Sequence, residues 1–463
     1  MKITMYGAAG GEVTGSAYHV QTKQASVLVD CGMFQGGKKA EAHNRPPKPV
    51  KHKLDAVLLT HAHLDHSGRL PLLAKFGYKV PAFATPATID LTALILRDSA
   101  RIQQSDAERQ NRKRARAGDA PVQALYTPED AEEAILWLRP APYQKPIPVA
   151  PGMKAIWAEA GHMLGSASIQ LQVEEDGKTK RVVFSGDLGP KGALILRDSE
   201  PFREADMVFL ETTYGHKDHR PFQETVDEFF SVVKGSVKTH AKILVPTFAV
   251  GRAQLLTSLL SYMFRRKMAP AFPVFLDSPM AIEATKIYGK HREIFDDDAK
   301  RYLREGALRD DLRLMKATPS AAESKQINDQ AGPCFIMAGA GMCTAGRILH
   351  HFKENLWRAG THVLIVGYQA PSSLGRRLVE GAEQVSIHGE KITVKAQVHT
   401  MGGFSGHAGQ TDLLRWFDVV APSKPRLVLT HGEDMQREAF AALVRKEYRI
   451  KPAIPGMGET IEL

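Results

Sequence analysis

The sequence predicts an α/β protein made of two architectures, one inserted into the other. Three observations predict it. Short apolar runs ending in a polar, ligand-type residue punctuate the first two hundred positions. From about Met207 strands and long helical segments alternate, the rhythm of parallel-sheet α/β units. From about Ile392 strand-like alternation resumes and leads to a further histidine-bearing loop. At 463 residues the chain exceeds one ordinary core and implies two or three domains. The changes of texture divide it into 1–208 and 395–463 for the first architecture and 209–394 for the insertion.

Taken in order, Ser26-Val27-Leu28-Val29 is a strand that runs to Asp30 and turns at Cys31-Gly32. Ala56-Val57-Leu58-Leu59-Thr60 is a second. A helix starts at Pro86, with Thr85 as N-cap and Pro86 at the first helical position, where its missing N–H costs nothing. Ile89, Leu91, Leu94, Ile95 and Ile102 supply its apolar face. Another starts at Pro128, capped by Thr127, with Glu129 and Asp130 in its first turn. Strands follow at Ala155–Ala158, Ser168–Val173 and Arg181–Ser185, and the alternation of Ser168–Val173 predicts a half-buried sheet. In the inserted part, Met207–Leu210, Lys242–Val245, Val274–Leu276 and Cys334–Ala338 read as buried strands. Helices are expected over Phe222–Val233 and from about Arg252.

Hydrophobic residues make up 43% and charged residues 24%, as in a soluble globular protein. No stretch approaches the roughly 20 apolar residues of a membrane span. The N-terminal segment lacks a basic head followed by an apolar core, so no secretion signal is expected. Cys31, Cys334 and Cys343 show no CxxC spacing and fit a reduced, cytoplasmic protein without disulfides. The net charge of +10 suits a polyanionic partner. Part of it lies between Arg97 and Arg116, where Arg101, Arg109, Arg112, Lys113 and Arg114 occupy the far end of the first long helix. Either nucleic-acid contact or a solvated helix end that complements the macrodipole accounts for that stretch.

The segment His61-Ala62-His63-Leu64-Asp65-His66 places four ligand-type residues in six positions, directly after a strand. Alternation along a strand puts His61 and His63 on one face, and the following loop can return Asp65 and His66 to the same point. Imidazoles and a carboxylate without thiolate suit zinc, with manganese or iron as alternatives, at an open, water-accessible site. The number of donors hints at two ions. Ala160-Gly161-His162, Phe184-Ser185-Gly186-Asp187 and Leu427-Val428-Leu429-Thr430-His431 repeat the pattern of a strand ending in a ligand.

Together Asp30, the His61–His66 run, His162, Asp187 and His431 resemble the ligand series of the metallo-β-lactamase fold, an αββα sandwich. Glu211-Thr212-Thr213-Tyr214-Gly215, Pro246-Thr247-Phe248-Ala249-Val250-Gly251-Arg252, Gly341-Met342-Cys343-Thr344-Ala345-Gly346-Arg347 and Phe404-Ser405-Gly406-His407-Ala408-Gly409 resemble the β-CASP branch of that superfamily. That branch contains nucleic-acid-processing nucleases. In layout the chain is similar to the nuclease subunit of the cleavage and polyadenylation specificity factor and its bacterial and archaeal relatives. The resemblance implies one ion on His61, His63, His162 and Asp187 and a second on Asp65, His66, Asp187 and His431. Asp187 would bridge, and Asp30 would stand behind the ligands and orient a histidine. It also implies Glu211, His407 and His431 as β-CASP signatures, and histidine rather than valine at 431 goes with RNA substrates.

The expected activity is a metal-dependent ribonuclease that hydrolyses phosphodiester bonds of single-stranded RNA by a two-metal mechanism, endonucleolytic or from the 5′ end. Asp65, Glu211 and His407 are the catalytic candidates. His407 would protonate the leaving 3′-oxygen, and Glu211 would fix its tautomer. Arg252, Ser278 and Gly341 are candidates for substrate phosphate contact, at strand ends that open helices or turns. Alternatives are a thioester or lactam hydrolase of the same fold, a non-catalytic RNA-processing scaffold, or a DNA nuclease. Ribonuclease J, a nearer rival, carries a further C-terminal domain, for which the residues after His431 are too few. The substrate is expected to thread between the two domains, and a homodimer is compatible with the sequence.

Overall fold

The structure, a computed structural model, describes residues 1–35, 42–44, 54–304, 315–369 and 373–463. It divides into two compact units, Met1–Asp218 with His407–Leu463, and His219–Gly406. In the first unit a seven-stranded sheet runs in the spatial order Thr460–Glu462, Lys2–Met5, Tyr18–Gln21, Ser26–Val29, Ala56–Leu58, Ala82–Ala84, Leu138–Pro140. A six-stranded sheet runs Arg426–Thr430, Met207–Glu211, Lys178–Phe184, Ala167–Glu175, Met153–Glu159, Ile147–Ala150.

Period-two alternation assigns each strand's side chains to layers. Ile3, Val27, Val29 and Leu58 of the first sheet meet Trp157, Ile169, Phe184 and Phe209 of the second in one core between the sheets. The intervening residues point outward. Leu28, Val57 and Leu59 pack under Leu72, Leu96 and Ala131 of helices on one side. Val208, Leu210, Leu427 and Leu429 pack under Leu413, Phe417, Phe440 and Val444 on the other. The result is four layers, αββα.

The inserted unit is a six-stranded sheet in the order Met315–Ala317, Val274–Asp277, Cys334–Ala338, Lys242–Pro246, Thr361–Ile365, Gln397–Thr400, parallel throughout. Both of its faces are covered. Ile243, Val245 and Leu276 meet the helices Phe222–Lys238 and Arg252–Arg265. Leu244, Phe275 and Ile336 meet Ile348 and Phe352 of the helix Ile348–Asn355. Strands buried on both faces read as continuous apolar runs, which is how they stand out in the sequence.

Three expectations differ from the structure. The insertion was placed at 209–394, but Met207–Glu211 pairs with Lys178–Phe184 and Arg426–Thr430 in the first unit's sheet, and Gln397–Thr400 pairs with Thr361–Ile365 in the inserted one. Strand pairing therefore carries both boundaries further along the chain, and the inserted compact unit runs His219–Gly406. Ser168–Val173 is not half-buried: Ser168 and Gln170 are buried as well, donating to the carbonyls of Ser185 and Glu204. Hydrogen-bonded polar side chains under a covering layer leave the same alternation as a solvated face. Ile102 is 55% exposed, because the helix Pro86–Ala117 outruns the core after Ala100, while Leu96 is fully buried. Among the described residues no helix is long and apolar enough to cross a membrane.

Candidate metal centre

Every expected ligand stands just beyond a strand of the first unit. Ser26–Val29 and Ala56–Leu58 run parallel and deliver Asp30 and His61. Lys178–Phe184, Met207–Glu211 and Arg426–Thr430 run parallel and deliver Asp187, Glu211 and His431. The turn between Met153–Glu159 and Ala167–Glu175 carries His162. Asp65 and His66 lie in the short helix Leu64–Ser67, which packs so closely on the Cys31–Gly32 turn that a Cβ on Gly32 would lie 1.5 Å from the Asp65 carbonyl oxygen. Asp30 and His431 hold left-handed backbones, φ +57 and +50. For non-glycine residues that conformation carries strain of the kind that collects at functional sites.

His61 Nε2 lies 3.2 Å from His63 Nδ1, which lies 3.1 Å from His162 Nε2. Asp187 Oδ2 is 3.5 Å from His61 Nε2 and 3.6 Å from His162 Nε2. A second set surrounds the other oxygen of the same carboxylate. His66 Nε2 is 3.3 Å and His431 Nε2 3.4 Å from Asp187 Oδ1, the two nitrogens are 3.2 Å apart, and Asp65 Oδ2 is 3.7 Å from His431 Nε2. Zinc in a tetrahedral shell, with bonds of about 2.0–2.1 Å, holds its ligand atoms about 3.3 Å apart, so the first set fits the ion, as does the trio His66, Asp187 and His431 of the second, while Asp65 clusters with His61 and His66. Asp187 Oδ1 is buried without a hydrogen bond. Its lone pairs, and imidazole nitrogens that face one another with too few protons to share, call for a cation. The buried His/Asp cluster suits two zinc ions.

The outward nitrogens are committed in a way that aims the inward ones. His66 Nδ1 donates to Asp30 Oδ2 at 2.8 Å, and Asp30 accepts also from the Thr60 N–H and hydroxyl. His61 Nδ1 donates to Thr60 Oγ1 at 3.1 Å, and His431 Nδ1 to Thr213 Oγ1 at 3.0 Å. With those protons outside, each Nε2 turns a lone pair to the cluster. Thr60 and Thr213 had no expected role. Thr60 at least stands beside a ligand in the sequence, whereas the partner of Thr213 is 218 residues away.

Burial, helped by the neighbouring imidazoles, drives His61 well below its ordinary value, and burial brings His63 down to about 4, so both are neutral. Burial also pulls on His66, but Asp187 and Asp30 overcome it and raise that histidine. A cation competes for the same lone pair and releases the proton. Beside the cluster, His407 Nδ1 meets Glu211 Oε1 at 3.2 Å, and its Nε2 lies 4.0 Å from Asp187 Oδ2. The buried Glu211 carboxylate is fixed by the N–H groups of Leu188 and Thr213. Although burial opposes it, Glu211 raises His407 to about 9.

A model of the metallo-beta-lactamase superfamily matches residues 10–231, a Beta-Casp domain model residues 253–378, and a model of a Zn-dependent metallo-hydrolase RNA specificity domain residues 391–455. Ribonuclease TTHA0252 of Thermus thermophilus is 38% identical over 96% of this chain and 96% of its own. The chain belongs to the β-CASP branch of the metallo-β-lactamase superfamily. Transcription termination factor FttA of Cenarchaeum symbiosum is 31% identical over 98% of this chain and 70% of its own length, and that of Methanocaldococcus jannaschii 30% over the same shares. A crystal structure of a protein of unknown function from Enterococcus faecalis covers 100% of this chain and 99% of its own with a TM-score of 0.57. At 13% identity it speaks for the fold alone.

The structure thus brings His61, His63, Asp65, His66, His162, Asp187, Glu211, His407 and His431 of this β-CASP protein into one cluster within the first unit. Arg252, Ser278 and Gly341 belong to the inserted unit, each beyond the C-terminal end of a parallel strand. Ser278 accepts from the Ala281 N–H as the N-cap of the helix Pro279–Lys290. Gly341 is packed under Phe248, whose ring would lie 2.6 Å from an added Cβ, so packing alone accounts for the glycine. Sequence reading missed Asp277, buried at a strand end in the same unit. It accepts from Thr318, Ser324, Arg347 and His351 at 2.6–2.8 Å. With four donors filling its lone pairs, it has none left for a ligand.

Proposed function

We propose that this protein is a two-metal ribonuclease that hydrolyses phosphodiester bonds of single-stranded RNA, cutting internally and also from the 5′ end. The observation that carries the reading is Asp187, whose two oxygens each face their own set of ligand atoms at 3.3–3.6 Å. His61, His63, His162 and Asp187 would hold one zinc, and Asp65, His66, His431 and Asp187 the other. Bound there, the ions supply Lewis-acid polarisation of the phosphodiester and a water acidic enough to react near neutral pH.

The chain's own groups do the rest. Glu211 orients His407 through Nδ1, leaving Nε2 on the cluster side to protonate the leaving 3′-oxygen. The products carry a 5′-phosphate and a 3′-hydroxyl. Asp30, Thr60 and Thr213 hold ligand tautomers. Arg252, at the start of its helix, grips a backbone phosphate together with the helix amides. RNA as substrate is supported by the ribonuclease relative, by an RNA specificity model spanning both His407 and His431, and by the net charge of +10. Three buried free cysteines agree with a reducing cytoplasm.

The test is cleavage of single-stranded RNA labelled separately at each end, by zinc-loaded protein and by His407→Ala. Internal cuts that vanish in the variant at unchanged zinc content support the reading. A zinc-loaded protein that leaves RNA intact but hydrolyses a lactam or a thioester overturns it.

A further inference from the structure

The helix Pro86–Ala117 does two things in one element. Its first turn is tied to the metal centre: Thr85 and Thr88 hydroxyls both donate to the carbonyl of Gly165, in the turn that carries His162. Its last buried residue is Ala100, and the remaining helix runs out into solvent. Along that free half Arg109, Arg112, Lys113 and Arg116 stand at i, i+3, i+4 and i+7, all exposed, in a stripe about 100° wide.

The opposite side is occupied by the returning chain. Asn111 and Val122 exchange two hydrogen bonds, and Arg114 Nε donates to the Ala120 carbonyl. Asn111 and Arg114 both lie about 150° around the helix from the stripe's centre, so the brace faces away from it. Arg109 pairs with Asp106, but Arg112, Lys113 and Arg116 have no acidic partner among the described residues. The macrodipole acts only within the last turn and cannot account for Arg109 and Arg112. Four like-charged neighbour pairs, 109/112, 109/113, 112/116 and 113/116, repel one another until an anion lies along them.

We propose that this stripe is a second binding site for the sugar-phosphate backbone of the RNA substrate, apart from the metal centre. It rests on the ribonuclease reading. At about 1.5 Å per residue, Arg109 lies roughly 36 Å along the helix from the end tied to Gly165, so only a longer RNA reaches both places. A row of cations along one face meets the repeating phosphates whatever the bases, and so reads substrate length rather than sequence.

The test compares RNAs of about 5 and about 30 nucleotides, cut and bound by wild-type protein and by a variant with Arg109→Gln, Arg112→Gln, Lys113→Gln and Arg116→Gln. Glutamine keeps helix propensity, and a variant with lysine at the three arginine positions retains the charge. The expected result is a KM about tenfold higher for the long RNA only, with kcat unchanged and a salt dependence of binding shallower by two or three phosphate contacts. The lysine variant should behave as wild type. Equal loss on both RNAs, or none on the long one, overturns the site while leaving the ribonuclease reading intact. Loss of poly-glutamate binding with RNA unaffected overturns it in favour of an acidic protein partner. A wild-type protein that neither binds nor cuts RNA overturns both.

Discussion

At the scale of single residues, the proposed function gives proton transfer to the pair Glu211–His407 and metal holding to the pair Asp30–His66. His407 stands outside both tetrahedral sets, with one nitrogen on Glu211 and the other facing Asp187. Replacing it with alanine is expected to lower the single-turnover rate on RNA by about 10²–10⁴-fold while zinc content stays unchanged. Loss of metal instead would make it a ligand. Asp30 has the opposite signature. Its carboxylate touches His66 Nδ1 but neither inward-facing set, and asparagine tolerates the left-handed backbone at φ +57. Asp30→Asn should therefore weaken the zinc site that His66 serves by about 10–100-fold in competition with a chelator, and the other less, because Asp30 reaches His61 only through Thr60. Equal weakening of both would contradict the placement of His66 in one set only.

At the scale of elements, the decisive feature is the strand end. Gly32→Ala tests how tightly such an end is built: the new Cβ overlaps the Asp65 carbonyl, so the Leu64–Ser67 helix must move. The variant should fold with Asp65 and His66 displaced, binding one zinc in place of two by metal analysis. In the inserted sheet, Asp277 is held down to about 2 against its own burial by His351, Ser324, Thr318 and Arg347. Its folded value lies below the unfolded one near 3.9. Its contribution, about 2–3 kcal/mol, is thus complete above about pH 4 and fades as pH falls through 2. Asp277→Asn should lower unfolding stability at pH 6, and the difference from wild type should close at about pH 2. Strand ends were also what made the centre legible: His61, His162, Asp187 and His431 each follow an apolar run, so their shared placement suggested a common site, and the resemblance to the metallo-β-lactamase fold implied the ligand sets. Thr60 and Thr213 also close or follow a strand but carry no ligand-type side chain, and Asp277 carries one that is spent on hydrogen bonds. What Thr213 and Asp277 bond lies tens to hundreds of residues away, and only the fold brings it near. Ser168 and Gln170 mislead for a related reason, because a buried, hydrogen-bonded polar residue and a solvated one look alike in a linear pattern.

For the whole molecule, metal, fold and charge bear on one account. A cation that binds the folded cluster and not the unfolded chain stabilises the protein by mass action, so chelation should lower the Tm and restored zinc should recover it. With a net charge of +10, RNA affinity should fall steeply with salt, as counterion release requires, whereas zinc content should not change with salt. The insertion itself was legible as a change of rhythm, but its limits were not. Met207–Glu211 and Gln397–Thr400 are ordinary buried or edge strands in sequence, and only their pairing says to which sheet each belongs. The most direct measurement titrates zinc into chelator-stripped protein while following bound metal and cleavage of single-stranded RNA together. The account predicts that hydrolysis reaches its plateau only at two zinc ions per chain, with 5′-phosphate ends on the products. Full activity with one ion or none, or two tightly bound ions without any RNA cleavage, would contradict it.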